Sequence, residues 1–308
     1  MKTLRNLAFV TAGFAYAVIV LGFVVRITGS GMGCGDHWPV CNGQLIPALN
    51  SPEVIIEFGH RLAVLGLSVL VAATAVLAFV KRATAGVSGP GGLLRPALLA
   101  VGLLLVQSLL GALAVKLELP PHTVVLHLGT GLGLLATLFL TGMRAGVVDG
   151  SIAPAEHLSR GRGGVIGALI LGTLVVLMGG MTATTGAFSS CLGFPLCNGQ
   201  IWPSGGEGGL QHIHWTHRLL AYALFFHLIG VVVGLRKRGA PGRVERAAWI
   251  GLALGVAQVA AGAAMVLAYL PPTLRTVHAV LGTGVWLALV YLAWITAGTE
   301  RATAAPSP

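Results

Sequence analysis

Four of the ten histidines recur in register: His60 and His127 early in the chain, His217 and His278 later. Imidazole is the commonest protein ligand for transition metals, and two imidazoles facing each other can hold a metal from opposite sides. Glu57 stands three residues before His60, and His214 stands at the same distance before His217. A carboxylate beside one histidine pair and not the other points to proton-linked chemistry at the first pair and electron transfer at the second. The four cysteines fall in two matching stretches, Cys34 with Cys41 and Cys191 with Cys197, spaced C-x6-C and C-x5-C. Arg61 and Arg218 directly follow two of the histidines, and Arg275 precedes His278 by three.

The chain that must position these residues has 308 residues, of which 55% are hydrophobic and only 9% charged, with a mean hydropathy of +0.87. A water-soluble domain carries about a quarter charged residues, and a disordered chain lacks this much Leu, Val and Ile, so both classes are excluded. A bilayer core of roughly 30 Å needs about 20 apolar residues of helix, because lipid cannot satisfy exposed backbone amides. Eight stretches qualify: Leu7 to Val25, Leu62 to Val80, Pro96 to Val115, Thr123 to Met143, Gly163 to Thr182, Leu219 to Leu235, Ala247 to Leu267 and Val277 to Ala297. The expected fold is an all-α polytopic membrane protein that spans the lipid bilayer eight times. The first stretch follows Lys2 and Arg5 as a signal peptide would, but no small-residue cleavage site follows it, so it is retained as a span.

A net charge of +10 would suggest nucleic acid in a soluble protein. Here the basic residues sort by loop. Lys2, Arg5, Lys81, Arg82, Arg95, Arg144, Arg160, Arg162, Arg236, Lys237, Arg238, Arg243, Arg246 and Arg301, 14 of the 19, share one side of the membrane. The excess of Lys and Arg marks that side as cytoplasmic, which places both termini inside and needs no nucleic acid. Arg26, Arg61, Lys116, Arg218 and Arg275 sit at the outer ends of helices. All four cysteines also lie outside, where a bacterial envelope is oxidising, so an intra-loop disulfide in each loop is expected. A zinc site built from the four thiolates is the competing reading, against which the spacing argues.

The sequence repeats itself. Trp38 to Pro47 reappears as Phe194 to Pro203, His60-Arg61-Leu62 as His217-Arg218-Leu219, Pro120-Pro121 with His127 as Pro271-Pro272 with His278, and Gln107 as Gln258. The offset stays between 151 and 157 residues, the signature of duplication. Four crossings per half return the chain to its starting side, so two tandem parallel-repeat four-helix bundles are expected, residues 1–150 and 151–308. The polar connection from Ala145 to Arg162 is the expected hinge. Gly129 to Gly133, Gly179-Gly180 and Gly282-Thr283-Gly284 favour close helix approach.

In this arrangement each histidine of a pair lies near the outer end of an inward-running helix, so the two reach one depth from neighbouring helices. That is what a six-coordinate haem requires of a bundle. The plainer alternative is an interfacial histidine bonded to a backbone carbonyl, and copper lacks an accompanying Met or Cys. Arg61, Arg218 and Arg275 could reach haem propionates or snorkel to headgroups. A solvated loop position is the alternative for Glu57, and a metal site at His212, His214 and His217 is a weaker option. His37, His122, His157 and His227 are explained by packing or solvation.

Glu57-Phe58-Gly59-His60-Arg61, the loop Cys34 to Asn42, its echo Cys191 to Asn198 and the four repeated histidines together resemble the bacterial haem A synthase family, over essentially the whole chain. The resemblance implies an oxidoreductase of the bacterial inner membrane that oxidises a ring methyl of its substrate, haem O, to a formyl group for terminal oxidases. It also implies haem b as cofactor on His217 and His278, and haem O ligated or positioned by His60 and His127. Glu57 is then the catalytic carboxylate, and disulfides join Cys34 to Cys41 and Cys191 to Cys197. The haem O synthase is the partner that such a reaction suggests. Three other classes fit parts of the pattern: a di-haem b electron-transfer protein, a quinone-linked thiol oxidase centred on the outer cysteines, and a transporter.

Overall fold

The structure, a computed structural model, describes residues 1–89, 91–158, 160–204 and 209–298. Among them are eight long helices: α1 Lys2–Ile27, α2 Pro52–Val80, α3 Leu94–Lys116, α4 Pro121–Val148, α5 Arg162–Thr184, α6 Leu210–Lys237, α7 Gly242–Leu267 and α8 Pro272–Ile295. Each is long and apolar enough to cross a membrane, and no named strand occurs among the described residues. The protein is a multi-pass, all-helical membrane protein. Arg301 and the rest of the C-terminal tail lie outside the described residues.

The expected spans are all present, and the differences lie at their ends. Helix α2 starts at Pro52 and α6 at Leu210, well before Leu62 and Leu219. Ser51 caps α2 by accepting a hydrogen bond from the Val54 amide at 3.4 Å, and Pro52 supplies the fixed φ of a first helical residue. The early turns of these two helices carry Glu57, His60 and Arg61, and His212, His214, His217 and Arg218, which lower local hydropathy without breaking the helix. Helix α4 continues to Val148, so Ala145, the expected start of the hinge, is helical and the connection to α5 is 149–161. Asp149 pairs with Arg5 at 3.2 Å and accepts from the Ser151 amide, tying this connection to the start of α1.

Helix α1 packs on α2 and α4, and α3 packs on the same two; α5 packs on α6 and α8, and α7 on the same two. Contacts α4 to α5 and α1 to α8 join these groups. Leu132, Leu135 and Leu138 of α4 centre one core, into which Trp286 and Val290 of α8 reach. Leu228, Leu289 and Leu292 are central to the other. Small residues let the backbones approach, as packing in lipid requires: a Cβ on Gly180 would lie 3.0 Å from Leu128.

Polar bonds cross the same junction. The Tyr16 hydroxyl donates to the Val280 carbonyl at 2.6 Å, and Arg26 donates to the Ala183 and Thr184 carbonyls that end α5; within the second group, Trp286 Nε1 donates to Thr173 at 3.0 Å. A cation on the last carbonyls of a helix also meets the negative end of its dipole. Tyr16→Phe keeps the ring and removes only the bond to α8. Unfolding in detergent is expected to show a loss of about 0.6–1.7 kcal/mol, the span of interhelical hydrogen bonds in membranes; an unchanged midpoint would mean that apolar packing alone holds α1 to α8.

Candidate functional site

His60, His127, His217 and His278 stand six to eight residues inside α2, α4, α6 and α8. At about 1.5 Å rise per residue they lie roughly 9–12 Å below the starts of their helices, in a common layer. Each imidazole rests on a glycine of the preceding helix. A Cβ on Gly22, Gly111, Gly179 or Gly262 would come within 3.4, 3.1, 3.0 and 3.0 Å of the Cε1 of His60, His127, His217 and His278 respectively. Each of those glycines lies five residues before the end of its helix. A side chain at Gly111, Gly179 or Gly262 would press on the ring, and one at Gly22 would just meet it.

Hydrogen bonds orient the rings. His127 Nδ1 lies 3.1 Å from the Gln107 carbonyl and His217 Nδ1 lies 3.1 Å from the Val175 carbonyl. An N–H donated to a carbonyl fixes the tautomer and leaves Nε2 unprotonated, the state a metal ligand needs. A bond to a backbone carbonyl and a ligand role are therefore compatible at His127 and His217. His60 Nδ1 is buried with no hydrogen-bond partner; His278 Nδ1 makes no well-formed bond, although the Gln258 backbone lies beside it.

The donor set fits an iron porphyrin. The His217 and His278 rings are 6.5 Å apart, centroid to centroid, with planes 81° apart. A metal–imidazole bond of about 2.0–2.1 Å at each side, plus the ring radii, gives roughly 6–6.5 Å between axial imidazoles. His60 lies within electrostatic range of His127. Among the described residues no three His, Cys, Asp or Glu gather into a metal-binding group. Paired imidazoles therefore suit a metal whose equatorial ligands come from a macrocycle. His212 is turned to the Pro203 carbonyl and His214 to Arg218, so the His212, His214, His217 cluster is not assembled.

Glu57 is buried, with 4% of its surface exposed, which overturns the solvated-loop alternative. Its Oε2 accepts from the Cys34 amide at 2.8 Å and its Oε1 pairs with Arg61 at 2.5 Å. His214, also buried, takes the corresponding bond from Arg218 Nε at 3.3 Å. Both arginines clamp the cysteine loops. Arg61 donates to the His37 and Val40 carbonyls, and Arg218 to those of Cys191, Gly193 and Leu196. Counting the bonds to Glu57 and His214, Arg61 makes three such bonds and Arg218 four. Arg275 instead stacks over Phe188, 4.3 Å from its centroid. Cys34–Cys41 and Cys191–Cys197 are disulfides, which removes the zinc alternative.

Residues 5–290 match the family profile of COX15-CtaA, cytochrome oxidase assembly proteins. The chain belongs to that family. It is similar to a protein named heme A synthase in Symbiobacterium thermophilum, 34% identical over the whole of both chains, and to another of that name in Shouchella clausii, 31% identical over 94% of this chain and 96% of the relative. A Thermus thermophilus protein named protoheme IX farnesyltransferase is 33% identical over 94% of this chain, in a match that spans 48% of that protein.

In this COX15-CtaA member, the reading of residue types found the histidines, the glutamate and the cysteines but missed their glycine partners. The signal was present: Gly22 and Gly179 are spaced as His60 and His217 are, and Gly111 and Gly262 as His127 and His278 are. Gly179→Ala adds a methyl 3.0 Å from His217, whereas a Cβ on Gly133 meets nothing within 4 Å. Thermal unfolding is expected to show Gly179→Ala destabilised by about 1–3 kcal/mol through overpacking, and Gly133→Ala stabilised by up to about 1 kcal/mol through helix propensity. Equal effects of the two would refute the glycine contact. Arg218→Lys cannot reproduce the fork that holds three carbonyls and His214. Reduction of Cys191–Cys197 by dithiothreitol, followed by thiol alkylation, is expected to run several-fold faster in that variant; an unchanged rate would mean the loop is held without Arg218.

Proposed function

We propose that this protein is a haem A synthase, a membrane oxidoreductase that converts a ring methyl of haem O to a formyl group. The observation that carries the reading is buried Glu57, one helical turn from His60, at the place where His214 stands relative to His217. Two imidazole pairs alone would serve an electron-transfer cytochrome equally well. A carboxylate held beside only one pair gives that pair a proton acceptor and makes the sites unequal. The relatives named heme A synthase along the full chain length support the same conclusion.

In this reading the chain forms two tandem parallel four-helix units, residues 1–150 and 151–308, with both termini cytoplasmic in the bacterial inner membrane. The one-sided loop arginines support the orientation, and the matched glycine–histidine contacts support the duplication. His60 and His127 hold the substrate haem O through its iron. His217 and His278 hold haem b, which when bound supplies one-electron redox chemistry. Methyl-to-formyl conversion removes electrons and protons and adds one oxygen. Glu57 takes protons from the oxidised carbon at Oε1, the oxygen shared with Arg61, while Oε2 stays anchored to the Cys34 amide. The Cys34–Cys41 loop thereby positions the carboxylate. Arg275, with the uncommitted N–H groups of Arg61 and Arg218, offers contacts for propionates. The haem O synthase is the natural partner, since the Thermus thermophilus relative bears a farnesyltransferase name and extends well beyond the matched region.

Absorption spectra and chromatography of extracted haems test the assignment in cells that make haem O. His217→Ala is expected to purify without haem b. His60→Ala is expected to keep haem b and form no haem A. Glu57→Gln should keep its haem content while haem A formation falls by about 10²–10⁴-fold, the usual worth of a general acid or base. Recovery of haem b alone, at both sites of the unaltered protein, would replace this reading with a di-haem electron-transfer protein.

A further inference from the structure

In each half a glutamine faces the ligand nitrogen of one histidine. Gln107 Nε2 is 3.3 Å from His127 Nε2, and Gln258 Nε2 is 3.2 Å from His278 Nε2. A side-chain amide nitrogen only donates, so each histidine accepts through the lone pair that an iron would take. The packing is reciprocal. His127 lies on Gly111 while Gln107 lies on Gly131, and His278 lies on Gly262 while Gln258 lies on Gly282. Each glutamine therefore competes with iron for its histidine.

The two glutamines differ in how they are held. The Gln107 side-chain Oε1 accepts a hydrogen bond from the Thr130 hydroxyl, which also has the Leu126 and His127 carbonyls within reach. In register with Thr130 stands Leu281, which has no donor, and Gln258 Oε1 is buried with no hydrogen-bond partner. A buried carbonyl without a partner raises the energy of the capped arrangement, and a satisfied one lowers it. We propose that Gln107 and Gln258 are displaceable caps on the axial histidines, and that Thr130 against Leu281 sets how firmly each cap holds. The cap on His127 is strong, so the first site binds haem weakly and exchanges it. The cap on His278 is weak, so the second site retains its haem. The link to substrate exchange and cofactor retention rests on the function proposed above; the caps themselves do not.

Haem partition between the full-length protein and apomyoglobin at equilibrium, with iron protoporphyrin IX as the probe, tests this without any turnover. The first site is isolated in His217→Ala and the second in His60→Ala. Thr130→Val in the former is expected to tighten haem binding about tenfold, and Leu281→Thr in the latter to weaken it about tenfold, the effect of one buried hydrogen bond made or lost. Gln107→Leu should tighten the first site at least as much as Thr130→Val. Damage to packing could only weaken binding, so tightening is a result that a merely structural role cannot produce. Weaker binding in Thr130→Val and Gln107→Leu, or a change below twofold in Thr130→Val and Leu281→Thr, would overturn the caps. Opposite shifts at the two sites with no haem A formed by the unaltered protein would sustain the caps and defeat the functional reading instead.

Discussion

An imidazole inside a membrane bundle must find its partners in protein, because lipid offers neither donor nor acceptor. The site is built around that constraint. Each of the four rings leaves its own helix about two turns after its start and lies against a glycine of the helix before it. Only glycine lets the ring come that close, and only a neighbouring backbone or a long amide can then reach the ring nitrogens. Gln107 does both for His127, offering its carbonyl to Nδ1 and its amide to Nε2. The pairing of helices, the placement of glycines and the histidine tautomers thus follow from one requirement.

A second layer of polar contacts lies just above. Arg61 and Arg218 gather loop carbonyls that would otherwise stand unpaired near the membrane boundary, and each turns back to the residue one helical turn earlier. That residue is a carboxylate in one case and an imidazole in the other. Because Glu57 also accepts the Cys34 amide, its position depends on the conformation of a disulfide-closed loop. The carboxylate is tied to the Cys34–Cys41 loop from one side and to α2 from the other.

The spans were legible because hydropathy is summed over many residues, and errors in single positions cancel. Their outer ends were not legible. Glu57, His60 and Arg61 depress the hydropathy of α2 where it begins, yet the helix runs through them, with Glu57 and Arg61 satisfied by each other and by the loop. Arg61 and Arg218 show a different limit. Residue type indicated that they would meet an acceptor, but the choice between propionate and loop carbonyl depends on how the loop folds back. The glycines opposite the histidines were hidden by number, since 45 glycines carry no individual signal. Only the spacing shared with the histidines separates those four from the rest.

Where two halves of a chain match this closely, the positions that break the match carry the information about division of labour. Glu57 against His214 and Thr130 against Leu281 are two such breaks, and both lie within a turn of a ring in the histidine layer. The first changes whether a proton can be accepted beside the pair. The second changes whether the neighbouring amide is satisfied while it occupies the histidine nitrogen. Both breaks sit inside helices that run through them without interruption. A chain whose halves repeat can therefore acquire unequal chemistry through a few side chains close to its layer of histidines.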